Sequence, residues 1–292
     1  MKYGANSFIW ASPFSTAQSI SLLTKVKVLG FDAIEIACED PALVDVRTLK
    51  DALTGVGLQG IICGAFGPDR DLSSADPAVS QNAETYIRWM VDAAAEIGSP
   101  VVIGPLYASV GKAHPDTEAG ARAEWERSIS RMRPLAEYAG AHGVKLAIEP
   151  LNRFETDLIN VAQQALEYCD AVGSPHLGLH LDTFHMHIEE SNSAAAIRAA
   201  GPRLFHLHAS ENDRGVPGAG QVAWRAIFDA LRDIAYEGVV GIESFTPEVK
   251  SIARAVCIWR KLAPDQDTIA REGLAFLRSL DTPEDTTWST RP

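Results

Sequence analysis

Short apolar runs alternate with longer amphipathic stretches from one end of the chain to the other. The strand-like runs are YGANSFIW (3–10), AIEIA (33–37), LQGIIC (58–63), PVVIG (100–104), KLAIEP (145–150), LGLHLD (177–182), LFHLHA (204–209) and VVGIES (239–244). Between and after them the helical period recurs over 16–29, 46–56, 78–97, 117–142, 161–172, 193–200, 222–236 and 247–262. Ser15 and the pair Asp76–Pro77 read as helix starts, and EIGSP and AVGSP as helices ending at Gly98 and Gly173 before the next strand. Eight βα units with no Pro-, Gly- or Ser-rich linker predict one parallel α/β domain closed into a single (β/α)8 (TIM) barrel over 1–280. An open doubly wound sheet would normally carry a glycine-rich first turn, and FIWASPF is not one. A polar segment, 281–292, follows; its Trp288 is the residue that could dock elsewhere.

Composition narrows the picture by exclusion. The apolar runs are strand-sized and interrupted, so no membrane span is expected, and the N-terminal MKYGANSFIW lacks a signal-peptide pattern. Four cysteines without CxxC spacing suit reduced thiols and a cytoplasmic location. A net charge of −12 with no dense Lys/Arg cluster argues against a nucleic-acid partner.

Chemistry in such barrels sits at the C-terminal strand ends. The last four ends carry Glu149, Asp182, His208 and Glu243. Three carboxylates converging there repel one another unless a cation joins them, and three oxygens with one imidazole suit a hard octahedral ion. His180 and His206 share faces with Asp182 and His208 but lie roughly 6.6 Å deeper, so they are expected to be hydrogen-bonded core residues. Glu149 and Glu243 stand three strands apart on the ring, about 135°, and so face the cavity from nearly opposite sides. Opposed carboxylates can remove a proton from one face of a carbon and return one to the other, which epimerisation requires; aldose–ketose isomerisation can use a single base.

EPLNRFE (149–155), LDTFHMHIEE (181–190), HLHASENDRG (206–215), PGAGQVAW (217–224) and GIESF (241–245) together resemble the D-tagatose 3-epimerase/D-allulose 3-epimerase family, xylose isomerase-like barrels that interconvert free ketoses at C3. The resemblance is strongest over 144–262. It implies that Glu149, Asp182, His208 and Glu243 bind one divalent ion, Mn2+ first and Co2+ or Mg2+ as alternatives. It also implies that Glu149 and Glu243 are the acid/base pair, that Glu155, His185 and Arg214 contact the ketose, and that the assembly is a homodimer or homotetramer. Asn6, Phe8, Ala37, Cys63, Phe66 and Tyr107 are the expected residues of the opposite pocket wall, with Trp10 and Phe66 able to close over the sugar. Asn6 and Ala37 depart from the bulky apolar lining common in the family, which leaves D-tagatose, D-fructose and L-ribulose open.

Other readings share the barrel. A phosphorylated ketose could use the glycine-rich SENDRGVPGAG, but Glu211 and Asp213 crowd that loop with negative charge and Arg214 is its only cation. A hydroxypyruvate-type or aldose–ketose isomerase needs one productive base. An abasic-site endonuclease would need further zinc ligands and a basic face. A non-catalytic sugar-binding barrel would have no use for opposed glutamates. The insertion GPLYASVGKAHPD (104–116) is expected to offer apolar residues to an interface or a lid.

Overall fold

The computed structural model describes residues 1–112 and 117–281. Trp288 and the 282–292 segment, and residues 113–116 of the insertion, lie outside the described residues. Eight parallel strands close in sequence order: β1 (Lys2–Asn6), β2 (Ala33–Cys38), β3 (Gln59–Gly64), β4 (Val101–Gly104), β5 (Lys145–Ile148), β6 (Leu177–Asp182), β7 (Leu204–His208) and β8 (Val239–Ile242). The ring is sealed by β1 against β8, with Tyr3 opposite Val240 and Ala5 opposite Ile242.

The helices form where the apolar spacing put them. Val46–Val56 buries Leu49 and Leu53, is capped by the Asp45 side chain on the Thr48 N–H, and stops at Gly57 with φ 67°. Pro77–Ile97 starts at Asp76, which accepts from the Ala78 N–H, and ends at Gly98 with φ 74°. There a side chain would be strained and glycine is not. Ser15 makes no such side-chain cap.

The last helical unit differs from expectation. Within 247–262 the chain forms only a short helix, Lys250–Ala255; the helix that packs on β8 is Gln266–Asp281. Its buried Ile269, Ala270, Gly273, Leu274, Leu277 and Leu280 form one stripe. A further short helix, Thr183–Glu189, grows directly from the end of β6.

Inside the ring, Ala33, Ile61, Cys63, Val101, Ile103, Ala147 and Val239 make an apolar layer. β7 carries an irregularity: Leu204 pairs with Leu179, but His206 pairs with His180. Phe205 is therefore the extra residue of a bulge, and its ring packs against the interior layer. Gly178 makes this possible, since a Cβ there would collide with the Phe205 ring. The ammonium of Lys145 lies 4.3 Å from that ring's centroid.

Candidate metal centre

Asp182 and His208 are the final residues of β6 and β7, and Glu149 and Glu243 are the first residues beyond β5 and β8. One ligand atom from each lies within 4.8 Å of the others, and all four side chains are buried. His208 Nδ1 faces Glu243 Oε2 at 3.5 Å, Asp182 Oδ2 at 3.7 Å and Glu149 Oε1 at 3.8 Å. That nitrogen has no hydrogen-bond partner.

The reason lies beneath it. Glu35, in the middle of β2, reaches across the barrel and accepts from His206 Nε2 at 2.8 Å with one oxygen and from His208 Nε2 at 2.8 Å with the other. Asn6 donates to the same carboxylate at 3.0 Å. With its Nε2 proton committed to Glu35, a neutral His208 presents an Nδ1 lone pair to three carboxylates. Acceptors facing acceptors at this range fit a divalent cation, and a carboxylate behind the imidazole is the usual support for such a ligand. Gly241 leaves the necessary room, because a Cβ there would overlap Glu35 Oε1.

The charges respond to this crowding. Burial, with Glu243 and Asp182 adding to it, holds Glu149 well above the usual carboxylate range. Asp182 is held well below that range despite its burial, chiefly by the Arg214 guanidinium. Burial opposes a charge on His208, but Glu35 and Glu243 outweigh it and raise the imidazole well above its ordinary value. His180 moves the opposite way, lowered by burial and by the neighbouring His208 and His206.

Arg214 is drawn into the site. Its Nη1 donates to Asp182 Oδ2 at 2.6 Å, Glu243 Oε2 at 2.9 Å and Ser210 Oγ at 2.8 Å. Its backbone has φ 63°, and Ser244 Oγ donates to its carbonyl. His185 stands beside it. The Asn152 backbone N–H donates to His185 Nδ1 at 3.0 Å, and Arg214 Nη2 lies 3.3 Å from His185 Nε2. Burial pushes His185 down to about 3 and keeps it neutral. Glu155 accepts from the Asn152 side chain at 2.8 Å and is raised by burial.

Several expectations change. His206 is the hydrogen-bonded core residue expected, through Glu35, but His180 is not: neither ring nitrogen has a hydrogen-bond partner. Glu211 does not crowd the β7 loop with outward charge. It is buried, and its carboxylate takes the N–H groups of Asn212, Gly218 and Val222 and the Trp224 indole. The apolar residues at the start of the 104–116 insertion, Leu106, Tyr107 and Ala108, are buried in the core rather than presented to an interface or lid.

The residues expected for the pocket wall are buried. Asn6 and Cys63 lie within the barrel, Asn6 Nδ2 being 3.7 Å from Cys63 Sγ. Phe66 packs edge-on to Tyr86 at 5.3 Å. Tyr107 is enclosed, and its hydroxyl donates to the carbonyls of Glu149 and Ile159, bracing the Glu149 turn from behind. Phe8 and Ala37 cluster with Phe245, whose ring centroid lies 5.3 Å from the Arg214 guanidinium. Trp10 is partly buried, and its indole donates to Asp267 at 2.7 Å.

Sequence reasoning missed Glu35. The available signal was a carboxylate inside an apolar strand, which burial permits only with partners.

A closed barrel whose strand ends converge on such a cation-fitting cluster defines a class of barrel enzymes that act on small polar substrates. The xylose isomerase-like TIM barrel model matches residues 23–280, and the chain belongs to that family. Ketose 3-epimerases are among its relatives. It is 36% identical over 278 residues to an L-ribulose 3-epimerase of Mesorhizobium japonicum, covering 94% of this chain and 93% of that protein. It is 35% identical to a D-psicose 3-epimerase of Enterocloster bolteae, covering 96% of each. The structure of a Methylomonas D-allulose 3-epimerase in complex with D-allulose superposes with a TM-score of 0.90 at 33% identity, again covering 96% of each chain.

Proposed function

We propose that this chain is a metal-dependent ketose 3-epimerase that interconverts free ketoses at C3 through a cis-enediolate. The observation that carries this reading is the convergence of Glu149, Asp182, His208 and Glu243, with two of the carboxylates entering from strands three steps apart. These four residues would hold one divalent ion, Mn2+ by preference and Co2+ or Mg2+ as alternatives. A bound cation supplies Lewis-acid polarisation of the ketose carbonyl, which makes the C3 hydrogen more acidic. Glu149 and Glu243 then share the proton work: one takes the hydrogen from one face of C3 and the other delivers a proton to the opposite face. In the reverse direction their roles exchange. His185 and the remaining N–H groups of Arg214 contact the same end of the ketose, and Glu155 accepts from a hydroxyl.

A neutral sugar suits the site better than a phosphate ester. Glu211 already occupies the backbone N–H groups of the β7 loop, and Arg214 is engaged by Asp182 and Glu243. A homodimer or homotetramer is the proposed assembly, supported by the exposed rings of Phe154 and Trp259. The cytoplasm is the proposed location, supported by the free thiols of Cys38, Cys63, Cys169 and Cys257. Among the described residues no helix is long and apolar enough to cross a membrane.

The test is a panel of free and phosphorylated ketoses in deuterated water, using metal-stripped protein re-supplied with one ion at a time. Activity should return with Mn2+, with deuterium at C3 and both C3 epimers recovered. Exchange at C1 with an aldose product, or a strong preference for the phosphate esters, would overturn the reading.

A further inference from the structure

His180 is the buried polar group for which the site, as described so far, has no use. It lies on β6 two residues below Asp182 and is fully buried. Its ring stands edge-on to His208 at 4.1 Å and to His206 at 5.0 Å between centroids. Both of those rings have their Nε2 taken by Glu35, so neither can leave Glu35 without cost. An imidazole always carries at least one N–H, and a buried N–H without an acceptor is unfavourable. A carboxylate acceptor within reach is Glu149, whose Oε2 is 3.5 Å from His180 Nδ1.

The two oxygens of Glu149 look in different directions. Oε1 faces His208 Nδ1 at 3.8 Å and His185 Nε2 at 4.0 Å, on the cluster and substrate side. Oε2 faces inward to His180. A carboxylate that must hold a cation and move a proton gains from having its plane fixed, because small angular errors at a reacting group lower the rate steeply.

We propose that His180 is a positioning residue for Glu149, its Nδ1–H donating to Oε2 so that Oε1 is held toward the cluster and the sugar. The inference rests on the ketose 3-epimerase reading, and it makes the two glutamates unequal: Glu149 is braced by a ring from below, whereas Glu243 Oε2 is steadied by Arg214.

The test compares wild type, His180→Asn, whose amide N–H can take the place of Nδ1–H, and His180→Leu, which has no donor. His180→Leu should lower kcat by about 10- to 100-fold while KM moves by less than about threefold. The signature is asymmetry between the C3 epimers. For the epimer whose hydrogen Glu149 removes, the isotope effect of C3 deuteration should rise. For the other, whose hydrogen Glu243 removes, C3 exchange with deuterated water should outrun conversion. His180→Asn should recover most of the rate and the symmetry. Nitrogen-15 NMR of the Mg2+-loaded protein, with the His180 signal assigned by its loss in His180→Asn, should find the proton on Nδ1 whether or not leucine is tolerated.

A proton on Nε2 alone, or wild-type kinetics in His180→Leu, overturns the inference. So does an equal, symmetric slowing in both variants accompanied by matching losses of Mn2+ affinity and melting temperature, because that marks a merely structural histidine. A wild type that incorporates no deuterium at C3 removes the epimerase reading itself; a wild type that exchanges normally confines any failure to His180.

Discussion

Strands β5 to β8 deliver Glu149, Asp182, His208 and Glu243 at their ends, whereas β1 to β4 end in Asn6, Cys38, Gly64 and Gly104. Both halves come from the same βα repeat, and both are buried. The second half concentrates charge at one level, with one atom of each member within 4.8 Å of the others. The first half contributes apolar contacts around Phe8, Ala37 and Phe66, together with one carboxylate, Glu35, set a layer deeper. The difference teaches that the cluster is not self-supporting. One of the four, His208, is held by a fifth side chain, Glu35, from the other side of the ring.

Breaking the charged half should have the largest effect. Glu149→Gln and Glu243→Gln should each lower kcat by about 10²- to 10⁴-fold, read as loss of C3 deuterium exchange, while circular dichroism keeps the barrel signal. Retention of full turnover by either variant would remove that residue from the acid/base pair. Reaching the same site from the opposite half should cost less. Glu35→Gln should weaken metal retention by about 10- to 100-fold, measured by chelator competition. Gly241→Ala, which drives a methyl group into the Glu35 carboxylate, should act in the same direction. If both retain metal as wild type does, the support from β2 is dispensable.

Acidity sharpens the comparison next. Glu149 and His208 are both raised above their ordinary values in the metal-free chain, so each tends to keep a proton that a metal ligand must lose. The cation and the protons therefore compete. Affinity should fall as pH falls and rise as pH rises, by up to about tenfold per pH unit for each proton displaced. Calorimetric titrations in buffers of different ionisation heat would count the protons released, and a pH-independent affinity would contradict the directions of both shifts. The smallest change belongs to the apolar half: Phe8→Leu should alter kcat/KM by about tenfold or less, mainly through KM, with metal retention unchanged.

The charged half was legible in the sequence and the support was not, for a physical reason. Glu149, Asp182, His208 and Glu243 each close an apolar run, so the strand itself announces the position. Glu35 meets His206 across 171 residues of chain, and no local pattern encodes a side chain reaching through the interior. The β6 run and the Val46–Val56 helix have the predicted limits because alternation or a capped amphipathic stripe fixes them locally. The Gln266–Asp281 helix has an apolar stripe as plain as the others, but the helical period over 247–262 already supplies an eighth unit ahead of it. His180 misled because alternation tells which way a side chain points and not whether a partner waits there. Glu211 misled in the same way: a loop carboxylate reads as a solvent charge until the loop is seen to fold around it.

The bulge that turns Phe205 inward carries one more consequence. With its ring added to the apolar layer across the base of the ring of strands, the barrel is a cup rather than a tunnel. Reactant and product then share the C-terminal mouth, where the strand ends carry the cluster. As the two sugars approach their equilibrium ratio, they compete for that mouth.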